Sequence, residues 1–453
     1  MFAGRNYELQ YLNTYYERAG SQIMVLYGEK NVGKTALLTR FTKDKPGYYY
    51  RARSASEREQ RFQWGRELNM DTNDEARYPS FSEIFAMIPD AADRKKVIVI
   101  DEFQNIVKAG GGFMKELCAY VRSRKELPVL VILVSSSIGW VENSMITRIG
   151  EAAYELSGFF KIKELSFGAL LDFFPRFTMN QCVETYAVLG GVPGLWKHFD
   201  DKLDIKENIC RYILNKNAFL HEEGLRIVEE ELRETGIYNT ILAAIAAGKH
   251  KLNDLYHHTE FSRAKISVYL KNLMELELVE KVFSYDTEGK ANTQKGIYRI
   301  SNHFVHFYFT FIYPHLSDIE RLDEKAFFER YIEPYFDRYV AGCFKLVCKE
   351  YIEEWNRAGE LPIKVERIGE WVGKTGTIDF VAQNESGETL LGICNWEKPA
   401  MEYEDYERLL SCAEKAKLGT EHIYLFSSHR FDEKLRMEAG KNTEIKLFGM
   451  DTM

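Results

Sequence analysis

One stretch limits the folds open to this chain more than any other. It reads IMVLY, GEKNVGKT, ALLTRF, without interruption from Ile23 to Phe41. An apolar run ahead of a glycine-bounded loop reads as a buried strand, and the apolar residues after the loop recur at helical spacing. A strand–loop–helix of this kind belongs in a parallel sheet with helices packed on its faces. Within the loop, Gly28, Gly33, Lys34 and Thr35 meet the pattern GxxxxGK[ST]. Glycine permits the tight bend that aims successive N–H groups at an anion. The helix that starts near Lys34 adds the positive end of its dipole. Lys34 is expected to reach the terminal phosphates of ATP, and the Thr35 hydroxyl to hold Mg2+. Glu29, Lys30, Asn31, Val32 and Ala36 complete the expected wall of the cradle.

A second element suits the first. VIVIDEF, Val97 to Phe103, is an apolar strand that ends in two acids. The carboxyl ends of parallel strands are where such sheets bind ligands. Asp101 is expected to support the metal through its water, and Glu102 to act as the general base that polarises an attacking water. A third apolar run, Val129 to Ser137, ends in three serines, of which Ser136 is the candidate for touching the terminal phosphate or that water. The expected strands of this part are Ile23–Tyr27, Tyr48–Arg51, Val97–Ile100 and Val129–Ser135.

Composition removes several alternatives. The chain has 453 residues, too many for one core. Its seven cysteines include no CxxC pair, so neither a disulfide framework nor a zinc site is indicated, as expected of a cytoplasmic protein. No apolar run approaches the ~20 residues that span a bilayer. The formal net charge of -8 does not advertise a nucleic-acid binder, although a local basic face can hide within it.

Together these residues resemble the archaeal-type ATPases of the STAND/AAA+ group. The opening FAGRNYEL (Phe2–Leu9) is similar to that family's F-x-GR-x-x-EL box. The resemblance implies that Phe2, Gly4 and Arg5 border the base and ribose. LSFGALLDFFP (Leu165–Pro175) and LGGVP (Leu189–Pro193) are similar to its lid region. The resemblance covers nearly the whole chain. It implies a P-loop ATPase core over residues 1–175, a helical lid over 176–235, a winged helix over 236–314 and a small α/β domain like PD-(D/E)XK nucleases over 315–453. One departure falls in the core. AYELSGF (Ala153–Phe159) lacks the basic pair that the family often carries there, and Arg148 is the nearest substitute. A missing transition-state arginine implies slow turnover, or an arginine supplied by a partner.

The expected winged helix places helices at Tyr238–Ala247 and Lys251–His258, and a third capped by Ser262 that runs to about Glu277. The β pair Val279–Tyr285 and Gly296–Ile300 follows. Arg263, Lys265, Ser267 and Lys271 would face double-stranded DNA, with Lys281, Lys290 and Lys295 at its phosphates. Nine basic and seven acidic residues lie between 239 and 300, a thin footprint, so a protein partner competes with DNA. The C-terminal segment keeps Asp379. Where the family carries an acid and a lysine, GICNW (Gly392–Trp396) has Ile393 and Asn395, and Lys345 stands where a glutamate is common. A nuclease-like fold without nuclease chemistry is expected, unless Glu366, Glu370 or Glu397 compensates. Three functions compete: an ATP-driven switch that hydrolyses ATP and repositions the winged helix and the nuclease-like domain, a nucleotide-sensing regulator with negligible turnover, and an ATP-regulated nuclease. Oligomeric state is left open.

Overall fold

The computed structural model describes residues 4–70, 78–90, 94–230, 232–287, 296–374 and 376–453. Two compact units result: residues 1–165 with 192–194, and residues 166–191 with 195–453.

The first unit is built on strands β1 (Gln22–Tyr27), β2 (Gly47–Arg51), β3 (Lys96–Asp101), β4 (Val129–Ser135) and β5 (Gly158–Lys161), in the order β2-β3-β4-β1-β5. All four pairings are parallel. Alternation along each strand divides the apolar residues between two cores. Ile23, Val25, Ile98, Ile100, Val131 and Leu133 face one side, where they pack with Trp64, Phe81, Phe85 and Phe113. Met24, Leu26, Val97, Val99, Ile132 and Val134 face the other, against helices α1 (Asn6–Glu17) and α2 (Lys34–Thr42) through Leu12, Leu37, Leu38 and Phe41. Strand β5 was not expected from the sequence. It is a four-residue edge strand, and its burial does not alternate.

The second unit opens with helices. Thr235–Ala246, Leu252–Thr259 and Arg263–Glu275 are followed by the antiparallel pair Val279–Val282 and Ile297–Ile300. Ser262 caps the third helix by accepting from the Lys265 N–H. The aromatic stretch that begins at His303 is helical, with a π turn over Tyr308–Ile312, and Phe304, Phe307, Phe309 and Phe311 are buried. A 26-residue helix, Glu333–Ala358, leads into a five-stranded mixed sheet. Its strands are, in spatial order, Ile445–Gly449, His422–Ser427, Thr389–Asn395, Thr377–Gln383 and Arg367–Val372. The base of the β pair is tied to this sheet. Tyr285 is buried in the sheet's core, its N–H donates to Glu370 O, and Arg299 pairs with Glu370 at 2.5 Å. Among the described residues, no helix is long and apolar enough to cross a membrane.

Candidate functional site

The loop after β1 is held from both ends. Gly28 N–H donates to Ser135 O, and a Cβ on Gly28 would lie 2.2 Å from Ile162 O, so no side chain fits there. Val32 is fully buried and anchors the middle of the loop. Asn31 and Gly33 have φ of 65° and 101°, the left-handed region in which glycine alone is unstrained. Gly33 then caps α2, and Thr35 and Ala36 are exposed on its first turn. LGGVP, similar to a lid segment in sequence, brings Val192–Gly194 back to this loop: Gly194 N–H donates to Asn31 O at 3.0 Å.

Arg5 does not reach toward solvent. It is 5% exposed, with Nη1 on Glu8 at 2.6 Å and Nη2 donating to Val32 O and Lys163 O at 2.8 Å each. The geometry makes it a brace between the loop and the segment after β5. The neighbouring Gly4 is exposed with φ of 68°. Phe2 lies outside the described residues, as do Lys290 and Lys295 of the expected wing.

Lys34 is 7% exposed and donates to Gly28 O and Glu29 O at 2.8 Å each. Burial pulls its pKa down to about 8, against the opposing fields of Glu102, Asp101 and Glu29. An ammonium desolvated among carbonyls is primed for a dianionic partner. Asp101, at the end of β3, is 7% exposed. Its carboxylate accepts from the Glu102 N–H at 3.0 Å and from the Tyr49 hydroxyl at 2.5 Å. Burial raises its pKa; Tyr49 and Lys34 only partly oppose this. Glu102 has φ of 54°, a strained backbone for a residue with a Cβ. Ser136 Oγ lies 2.7 Å from both carboxylate oxygens, and Gln104 donates to one of them at 2.5 Å. Burial pushes Glu102 up, but the Ser136 and Gln104 hydrogen bonds and the Lys34 charge prevail, and its pKa ends below the ordinary value. Lys34, Asp101, Glu102 and Ser136 therefore share one sheet edge. Tyr49 and Gln104 join them there, though the sequence did not single them out.

Arg148 is exposed on the helix Met145–Ile149. It lines a cavity of about 720 Å³ with Val107, Phe113 and Arg122, whose lining includes no residue of the phosphate loop. It is not placed to replace the missing arginine.

Residues 2–198 match a family described as an ATPase domain predominantly from Archaea. Residues 239–281 match a bacterial regulatory protein family of the arsR type. Residues 308–409 match a family of archaeal and bacterial proteins of unknown function. An uncharacterised protein of Methanocaldococcus jannaschii is 29% identical over 404 residues, 87% of each chain. Among solved structures, the Walker-type ATPase of Pyrococcus abyssi is 18% identical with a TM-score of 0.48, over 68% of this chain and 96% of that one. The ORC2 protein of Aeropyrum pernix, solved in ADPNP–ADP complexes, is 15% identical with a TM-score of 0.46, over 70% and 93%.

Elsewhere in the chain, Arg263, Lys265, Ser267 and Lys271 are all exposed on one helix. Arg263 donates to Asn253 and stacks on Tyr256, Lys265 lies 4.4 Å over the Phe261 ring, the Ser267 hydroxyl donates to Arg263 O, and Lys271 pairs with Glu275 at 3.6 Å. In the C-terminal sheet, Asp379 accepts from the Cys394 N–H at 2.8 Å and pairs with Lys345 at 2.6 Å. Ile393 is buried in the core, and the Asn395 amide donates to Lys398 O and to Ser427. Glu366 pairs with Lys364, Glu370 pairs with Arg299, and Glu397 is exposed. Among the described residues, no three His, Cys, Asp or Glu side chains gather to hold a metal.

Proposed function

We propose that this protein is a slow ATP-driven switch, in which ATP binding and hydrolysis at the first unit reposition the second. The observation that carries the reading is the meeting of Lys34, Asp101 and Glu102 at one end of a parallel sheet, beside a loop whose glycine admits no side chain. Thr35 and Asp101 fit a magnesium ion, a hydroxyl and a carboxylate being suitable oxygen donors. Bound there with the nucleotide, it would neutralise phosphate charge. Loop amides from Glu29 to Thr35, with Ala36 behind them, would cradle the phosphates, and Lys34 would move from its own loop carbonyls to the terminal phosphate oxygens. Glu102 would take the proton of the attacking water once Ser136 and Gln104 yield it. Held as it is, that carboxylate is a poor base, and Arg148 lines a different cavity; both support slow turnover. The steady-state rate of phosphate release by the purified chain tests this. We expect well under ~10 s⁻¹, the median for enzymes, and a faster rate overturns the slow switch.

The output of the switch is read from the second unit. The exposed helix Arg263–Glu275 offers double-stranded DNA a modest basic face. The wing base and the C-terminal sheet are joined through Tyr285 and Arg299, so they would move as one piece. DNA-stimulated phosphate release, and DNA affinity that falls with salt, would support coupling. A protein partner is favoured if neither is seen. The sensor reading gains from the sequestered Glu102, and it wins if bound ATP is never turned over. The nuclease reading loses to Lys345, whose ammonium neutralises the one retained acid. Magnesium-dependent DNA cutting that Asp379→Ala abolishes would restore it.

A further inference from the structure

Strand β2 is one edge of the first unit's sheet, and its three consecutive tyrosines point to alternate faces. Tyr48 and Tyr50 belong to the core: Trp64 donates to the Tyr48 hydroxyl, and Tyr50 stacks on Trp64 at 4.0 Å. Tyr49 faces the other way and is 43% exposed. A tyrosine so exposed needs no protein partner to satisfy its hydroxyl, because water would do it. Yet that hydroxyl donates to the buried Asp101 carboxylate at 2.5 Å. Thr35 and Asp101 are the two groups that the reading above assigns to the metal.

We infer that the Tyr49 hydroxyl competes with the divalent cation at Asp101, holding that carboxylate in the metal-free protein and giving way when the metal arrives. The inference rests on the proposed ATP-binding site. Its physical basis is the space at Asp101. One oxygen accepts from the Glu102 N–H and the other from Tyr49. Each oxygen can accept a second bond, but a metal-bound water that approaches the second oxygen from the Tyr49 side meets the phenol already at 2.5 Å. A desolvated carboxylate without a metal needs a donor, and Tyr49 supplies one. The consequence is a site that stays ordered without the metal and binds it less tightly than the same residues would alone.

The test is Tyr49→Phe in the full-length chain, which removes one oxygen and keeps the ring. ADP binding is measured by calorimetry without metal and along a magnesium titration, and direct Mn2+ binding is followed by electron paramagnetic resonance. We expect metal-free ADP affinity to stay within about twofold. The metal concentration at half-effect should fall by about fivefold, the scale of one net hydrogen bond. The gain should vanish in the Asp101→Asn background, where the competing contact is already altered. A melting curve checks that the variant folds, and Tyr49→Leu, which also lacks the hydroxyl, should shift the metal dependence the same way. Unchanged or weakened metal binding in Tyr49→Phe overturns the competition, and weakened binding would make Tyr49 a support for Asp101 instead. Wild-type protein that binds no ADP with or without metal would refute the ATP site itself, a failure visible before any variant is made.

Discussion

The phosphate-loop edge and the C-terminal sheet each hold a carboxylate with little exposure and a lysine, and they wire the two differently. In the first, Lys34 donates to its own loop carbonyls, leaving Asp101 and Glu102 to neutral donors: Tyr49, Ser136 and Gln104. In the second, Lys345 lies directly on Asp379 at 2.6 Å. A neutral hydroxyl can be displaced by an incoming ion or water at little cost. An ammonium already supplies the positive charge that a metal would bring, and expelling it strands a buried charge. The same residue types therefore leave one site open to chemistry and close the other.

Four experiments press on that contrast, in descending order of expected effect. Glu102→Gln should keep ATP affinity while phosphate release falls by about 10²–10⁴-fold, the usual contribution of a general base. Normal turnover would move the base elsewhere. Lys34→Ala should weaken nucleotide binding by about a hundredfold through lost charge-assisted contacts, with the melting curve retained. Asp379→Ala should leave nucleotide binding unchanged, and equal losses in the two variants would erase the distinction between the sites. Lys345→Ala leaves Asp379 without its cation and should cost about 1–3 kcal/mol in a denaturant titration. No change would make the closed site merely an exposed ion pair.

The fourth experiment is a pH series. Lys34 in the free protein has a pKa near 8, and bound phosphates raise it. Below that pH the lysine is already protonated and nucleotide affinity from this source is level. Above it, binding must take up a proton, and affinity falls by up to about tenfold per pH unit. Calorimetry in buffers of differing ionisation enthalpy would detect that uptake. Affinity that stays level through pH 9 would place Lys34 away from the phosphates.

The second unit carries its own pH dependence. His303 and His306 are half-buried, and desolvation lowers both to about 4 from 6.5. The unfolded chain then binds more protons between those values. Stability is full above pH 6.5 and declines as pH falls toward 4, by of order 3 kcal/mol per ring at most. The Lys34 charge is unchanged in that window, since its pKa is about 8. Acid melts should therefore reach the second unit first.

What could be read along the chain follows one rule. Gly28, Gly33, Lys34 and Thr35 act within one turn of backbone, so their spacing states their geometry. Asp101 and Glu102 were legible because an apolar run announces a strand and the next residues must lie at its end. The helix capped by Ser262 was expected to run to about Glu277 and forms over Arg263–Glu275, since its cap and apolar spacing are both local signals. The short edge strands Arg367–Val372 and Ile445–Gly449 were not, because half-exposed edges carry no clean alternation.

The sequence alone therefore determined the anion cradle, the acid pair and the order of helices and strands, all of them local patterns of hydrogen bonding and periodicity. Only tertiary structure decided who faces whom. It turned Arg5 into a brace on Val32 and Lys163, set Ser136 against Glu102, laid Tyr49 on Asp101 and put Lys345 on Asp379. Each of those contacts joins residues 27 or more positions apart. Partners at such separations are chosen by packing and strand register, and no local pattern records that choice.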